Sequence, residues 1–83
     1  MIIVRLFARL REQLGHSSVE LEPTAVATAA DVRAALALQY GEHWQRELSA
    51  GQIIVAVNQE VAGWQSPVAD GDEVAFFPPV TGG

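Results

Sequence analysis

Eighty-three residues with a formal net charge of −5 and no cysteine describe one small acidic domain, too short to build two cores. The missing cysteine removes disulfides, thiolate metal ligands, iron–sulfur ligation and a thiol nucleophile together. All five basic residues are arginine (Arg5, Arg9, Arg11, Arg33 and Arg46), so there is no ε-amine for Schiff-base chemistry or for accepting an isopeptide bond, and the acidic balance argues against nucleic acid as a partner. His16 and His43 are far apart with no ligand-like spacing and read as surface residues, so no metal site is expected. Met1-Ile2-Ile3-Val4 is too short to span a membrane, and Arg5 interrupts it where a signal peptide would stay apolar. The expectation is a cytoplasmic protein with no membrane association.

Ile2 to Phe7 is rich in β-branched and aromatic residues and predicts a strand. Ala8 to Leu14 fits a short helical turn closed by Gly15. Ser18 to Leu21 alternates polar and apolar residues with the period of a half-buried strand, ended by Pro23. The main helix is predicted to start at Thr28, whose hydroxyl can accept from a first-turn N–H while Asp31 favours the positive end of the helix dipole. Val32, Leu36 and Tyr40, with Ala29 and Ala35, then form its sheet-facing stripe. Gly41 is a natural stop, and Glu42 to Leu48 has the composition for a further turn of helix. Ile53 to Val57 is an apolar strand, and Asn58-Gln59 with Glu60 makes a hairpin turn into Val61-Ala62, because Asn tolerates positive φ. Asp70-Gly71-Asp72 reads as a plain turn, since it lacks the remaining ligands of a calcium loop. Glu73 to Phe77 is the last strand, and Pro78-Pro79 ends its pairing because proline has no N–H to donate.

This order predicts an α+β fold, a mixed sheet of about five strands with one main helix packed on one face. In the first strand Ile3, Arg5 and Phe7 share a face; in the last, Glu73, Ala75 and Phe77 do. The charged members mark both sets as solvent-facing, so Phe7 and Phe77 are expected on the open face, as neighbours if first and last strands pair. Exposed aromatic surface on so small a domain suggests a docking patch, which Val61 extends. The alternative is that either Phe is covered by the tail or by residues 8–14. Trp44 and Trp64 read as core-edge packing.

Beyond the patch, Val80-Thr81-Gly82-Gly83 follows Phe76-Phe77-Pro78-Pro79. Two glycines make a strip of backbone thin enough for a narrow tunnel, because no Cβ blocks the approach. The division expected is a folded domain over residues 1–77 and an extended Gly-Gly tail over residues 78–83. The run from Asp70 to Gly83, together with Leu6-Phe7-Ala8, Leu10-Arg11-Glu12 and Ala56-Val57-Asn58-Gln59, resembles the small subunit of molybdopterin synthase. Residues 19–52 lack motif-level support for the resemblance.

The resemblance implies a ubiquitin-like β-grasp and a sulfur carrier, the non-catalytic sulfur-donating subunit of a transferase. Gly83, preceded by Gly82, is implied as the reacting terminus: its carboxylate is adenylated by a ubiquitin-activating-like adenylyltransferase, then converted to a thiocarboxylate by a sulfur donor protein. Sulfur then passes to cyclic pyranopterin monophosphate to build the molybdopterin dithiolene. No cofactor is bound stably; the AMP ester and thiocarboxylate are transient. Pro78, Pro79, Val80 and Thr81 are implied to insert into the large synthase subunit, and Phe7, Phe77 and Val61 to anchor the body there. Arg5 is a candidate to meet an acidic group of the partner, and Arg11 either contacts it or serves the short helix. The family also implies a heterotetramer of two small and two large subunits. A thiamine-pathway sulfur carrier, a ubiquitin-like modifier joined through Gly83 and an inert-tailed interaction module stand as alternatives, the first disfavoured by the Phe-Phe-Pro-Pro-Val-Thr neck.

Overall fold

The computed structural model describes residues 1–24, 26–50 and 52–79. Five strands and three helices follow in the order β1 (Ile2–Leu6), α1 (Ala8–Leu14), β2 (Ser18–Leu21), α2 (Ala29–Tyr40), α3 (Glu42–Ser49), β3 (Ile54–Val57), β4 (Glu60–Ala62) and β5 (Glu73–Phe77). The sheet order is β2-β1-β5-β3-β4. First and last strands pair in parallel at the centre, and every other ladder is antiparallel.

The alternation of side chains divides this sheet into two unlike faces. Ile2, Val4 and Leu6 of β1, Val55 of β3, and Val74 and Phe76 of β5 point inward and are buried. Against them pack Val32 and Leu36 of α2, Leu10 of α1, and Trp44 and Leu48 of α3. The expected main helix is α2, and the two stretches read as shorter helical turns form α1 and α3 beside it, the latter packing through Trp44 and Leu48 at helical spacing.

Local chemistry fixes the ends of these elements. Thr28 Oγ1 accepts from the Asp31 N–H at 3.3 Å, and Asp31 Oδ2 accepts from the N–H groups of Thr28 and Ala27 at 3.2 and 3.0 Å. This reciprocal box starts α2 where the sequence places it. Gly41, at φ 102° and ψ −169°, separates α2 from α3 in a conformation that a side chain would oppose. Tyr40, expected on the sheet-facing stripe, is instead half-exposed at 36%. The sharp turn at Gly41 brings α3 back so that the Tyr40 ring stacks on Trp44, with centroids 4.2 Å apart. The β3–β4 hairpin turns through Asn58 and Gln59 at φ 51° and 70°, a two-residue turn whose left-handed geometry suits the strand twist.

Candidate docking groove and tail root

Side chains on the helix-free face are short in the middle and long at the rim. The register places Arg5 beside Ala75, Ala75 beside Ala56, and Ala56 beside Val61, one row across four strands. Two methyl groups thus form a floor, and an open groove of about 350 Å³ lies above it. Arg5, Phe7, Phe77 and Val61 rise around the floor, with Gln59 and Glu73 completing the lining. The chain leaves this surface directly through Pro78 and Pro79, both half-buried.

The rim residues are held from β1 and β5. Phe7 ends the pairing of β1 by donating its N–H to the Phe76 carbonyl at 3.3 Å, and its own carbonyl accepts from Leu10 at 3.2 Å. It therefore serves as the first residue before α1, in extended backbone at φ −125°, and not as the last residue of the strand. Ala8 follows in the left-handed region at φ 54°, uncommon for a residue with a Cβ. This sharp reversal leaves Phe7 40% exposed, and Val61 on the edge strand is 75% exposed. Neither is covered by α1.

Arg5 has a partner within the chain. Its Nη1 donates to Glu73 Oε2 at 3.2 Å, and its guanidinium carbon lies 5.8 Å from the centroid of the Phe7 ring. Both side chains of the ion pair are partly exposed, so the pair orients Arg5 along the rim without removing its charge from solvent. Arg11 is exposed on α1 and is not among the lining residues. Sequence reasoning missed Ala56 and Gln59 as lining residues. The alternation that placed Ala75 on the open face carries the same information for Ala56 once the β3–β5 register is known.

A second polar cluster secures the far end of β5. Asp72 Oδ2 accepts from the Ala69 N–H at 2.8 Å, and its Oδ1 accepts from Asn58 Nδ2 at 3.1 Å. The backbone donor at Ala69, and after it Asn58, holds the Asp72 carboxyl below its usual range. Asn58 Oδ1 in turn accepts from the Glu73 N–H, joining the hairpin turn to the start of β5. His16 and His43 are both exposed. Among the described residues no three His, Asp or Glu side chains gather to hold a metal ion, and no helix is long and apolar enough to cross a membrane. Val80, Thr81, Gly82 and Gly83 lie outside the described residues.

A mixed sheet with β1 and β5 parallel at its centre and helices clasped to one face defines a ubiquitin-like β-grasp domain. A family model described as the ThiS family matches residues 4–83, and the chain belongs to that family. The chain is 47% identical over 83 residues to the molybdopterin synthase sulfur carrier subunit of Haemophilus influenzae, covering 100% of both. It is similar to the crystal structure of small archaeal modifier protein 1 from Haloferax volcanii, with a TM-score of 0.79, 32% identity, and 95% and 97% of the two chains covered. A third likeness is to a protein–protein complex of subunits 1 and 2 of the molybdopterin-converting factor from Helicobacter pylori. There the TM-score is 0.66 at 25% identity, covering 99% of this chain and 97% of that one.

Proposed function

We propose that this chain is the sulfur carrier subunit of a molybdopterin synthase and works through the carboxylate of Gly83. The observation that carries the reading is likeness at 47% identity along the whole of both chains to a protein of that name. The groove adds physical support, because its aromatic rim lies at the root of the Gly-Gly tail.

A C-terminal carboxylate is ionised at neutral pH, with an ordinary pKa of about 3.3 to 3.7, and resists nucleophilic attack. Adenylation by an ATP-using partner of the ubiquitin-activating type makes AMP a leaving group. Sulfur from a donor protein then replaces AMP at the carbonyl carbon, leaving a thiocarboxylate. Within the large subunit that sulfur anion attacks cyclic pyranopterin monophosphate. The carrier brings the nucleophile, and Gly82 leaves room for it to pass. Both Pro78 and Pro79 have φ fixed by their rings, so fewer conformations are lost when the tail, with Val80 and Thr81, enters a tunnel. Dependence on ATP and on a pterin intermediate favours a cytoplasmic setting.

In this account Phe7, Phe77 and Val61 anchor the body on the large subunit, and Arg5, oriented by Glu73, meets polar groups at the same rim. Arg11 takes part if the contact extends over α1. A thiocarboxylated carrier with Gly82→Ala or without Gly83 is expected to lose sulfur transfer to the large subunit while keeping its thermal transition. Full transfer by either variant contradicts the mechanism.

A second reading is a ubiquitin-like modifier joined through Gly83 to lysines of other proteins, and the likeness to a small archaeal modifier favours it. Amide-linked adducts of this chain in cell extracts distinguish it from a pure sulfur carrier. The thiamine-pathway alternative shares the sulfur step, and the Phe-Phe-Pro-Pro neck favours the molybdopterin partner.

A further inference from the structure

One wall of the groove is built without a buried side chain. Strand β4, which carries Val61, pairs with β3 alone, and its three residues are exposed or half-buried. Apolar packing therefore does little to fix where the β3–β4 hairpin stands beside β5, and hydrogen bonds at the turn have to do so. The turn residue that makes them is Asn58.

We propose that Asn58 is a positioning residue for docking: through the chain Asp72–Asn58–Glu73–Arg5 it sets the hairpin against β5 and presents Gln59, Val61 and Arg5 to the large subunit in one fixed arrangement. The proposal rests on the reading that the groove receives that subunit.

Asn58 meets three demands at once. It lies one step past Val57 and Val74, the last pair of the β3–β5 ladder, and its N–H donates to the Glu73 carbonyl at 2.8 Å. In a continuing strand its own carbonyl would accept from the Glu73 N–H in return. At φ 51° the main chain has left the ladder for the turn, and the side chain takes the carbonyl's place: Asn58 Oδ1 accepts from the Glu73 N–H at 3.0 Å. The other half of the amide donates to Asp72 Oδ1 at 3.1 Å. The position thus needs tolerance of the left-handed region, an acceptor and a donor. Glycine supplies the first, aspartate the first two, and asparagine all three.

Both ends of this chain of bonds are anchored. Asp72 Oδ2 accepts from the Ala69 N–H, next to Val68, which is buried and donates its N–H to the Ala27 carbonyl at 2.9 Å. At the other end Glu73 Oε2 accepts from Arg5 Nη1 at 3.2 Å. Asn58 therefore grips the residue whose side chain orients Arg5, and its neighbour Gln59 lines the groove directly. Asn58 is itself exposed, and hydrogen bonds open to water add only modestly to stability. Their effect is on geometry, which separates this role from that of a turn stabiliser.

Calorimetric titration of the full chain with the large synthase subunit tests the proposal, at a temperature where circular dichroism shows every variant folded. Asn58→Gly keeps the turn conformation and removes both side-chain bonds; it should lose affinity about fivefold or more, with its thermal transition nearly unchanged. Asn58→Asp puts two carboxylates face to face and should bind more weakly still. Adding Asp72→Asn to it restores one donor and one acceptor with their places exchanged, and should return affinity to within about twofold of the native chain. Arg5→Ala should cost less affinity in the Asn58→Gly chain than in the native one, because the arrangement it belongs to is already lost. Native affinity in folded Asn58→Gly would overturn the proposal. So would an exchanged pair that is folded yet binds no better than Asn58→Asp, or losses from Asn58→Gly and Arg5→Ala that simply add. A native chain that does not bind the large subunit overturns the docking reading and the proposal with it, whereas a native chain that binds beside variants that bind equally well defeats the role of Asn58 alone.

Discussion

Ala56 and Ala75 stand opposite one another in the β3–β5 ladder, and they are the reason the open face has a groove. Any larger pair in the two strands would raise the floor to the level of Phe77 and Val61. Ala75→Leu should therefore fill the groove and weaken binding to the large subunit by tenfold or more, about 1.4 kcal/mol or above. Ala75 is buried at the groove floor but lies outside the core cluster on the helix side, so the added side chain should extend into the groove and the chemical denaturation midpoint should move little. Calorimetric titration against the large subunit checks the first expectation; undiminished affinity would remove the groove from the interface.

The Arg5–Glu73 pair should matter more for orientation than for stability. Both side chains are partly exposed, and pairs of this kind contribute about 0.2–1 kcal/mol. A double-mutant cycle with Arg5→Ala and Glu73→Ala is expected to give a coupling in that range, shrinking as salt is added. The same substitutions should reduce affinity for the large subunit more than they reduce stability.

Asp72 gives the fold a pH dependence with a definite sign. Its folded-state carboxyl is held below the ordinary value by the Ala69 N–H and by Asn58, so it binds a proton less readily folded than unfolded. Its contribution is complete above the unfolded pKa of about 3.9 and is lost as pH falls through the lower folded value. The stability difference between the native protein and Asp72→Asn should accordingly be constant near neutrality and close below about pH 4. Urea titrations of both proteins across that range measure it.

Ala8 carries backbone strain at the rim of the groove. A left-handed conformation costs a residue with a Cβ roughly 1–2 kcal/mol. Ala8→Gly should relieve this, partly offset by the extra freedom of glycine in the unfolded chain, for a net gain of about 0.5–1 kcal/mol. Ala8→Val should lose at least about 1 kcal/mol, because a branched Cβ tolerates the conformation worse. Denaturation midpoints of the three proteins decide the order.

Much of this site was legible because charged residues interrupt apolar strands. Arg5 and Glu73 each mark the solvent side of a strand, and from them Phe7 and Phe77 follow by alternation. Thr28 and Asp31 announce the start of α2 three residues apart, a purely local signal. The groove floor was less visible: alanine suits either face, and Ala56 is placed only by the β3–β5 register. The Asn58–Asp72 contact joins two turns that stand apart in the sequence and exists because β3 and β5 pair. Tyr40 departed from its helical stripe for a similar reason, since Gly41 returns the chain and offers Trp44 as a better surface for its ring. Likewise α3 looked polar in composition, while its buried Trp44 and Leu48 determine that it packs.

The most direct test of the sulfur-carrier account is the mass of the tail. Chain isolated from its own cells, with the large subunit disabled so that charged carrier accumulates, should carry one sulfur in place of one oxygen, located by fragmentation at Gly83. Fragment assignment is essential because oxidation of Met1 adds nearly the same mass. A tail that remains an ordinary carboxylate under those conditions would contradict the account.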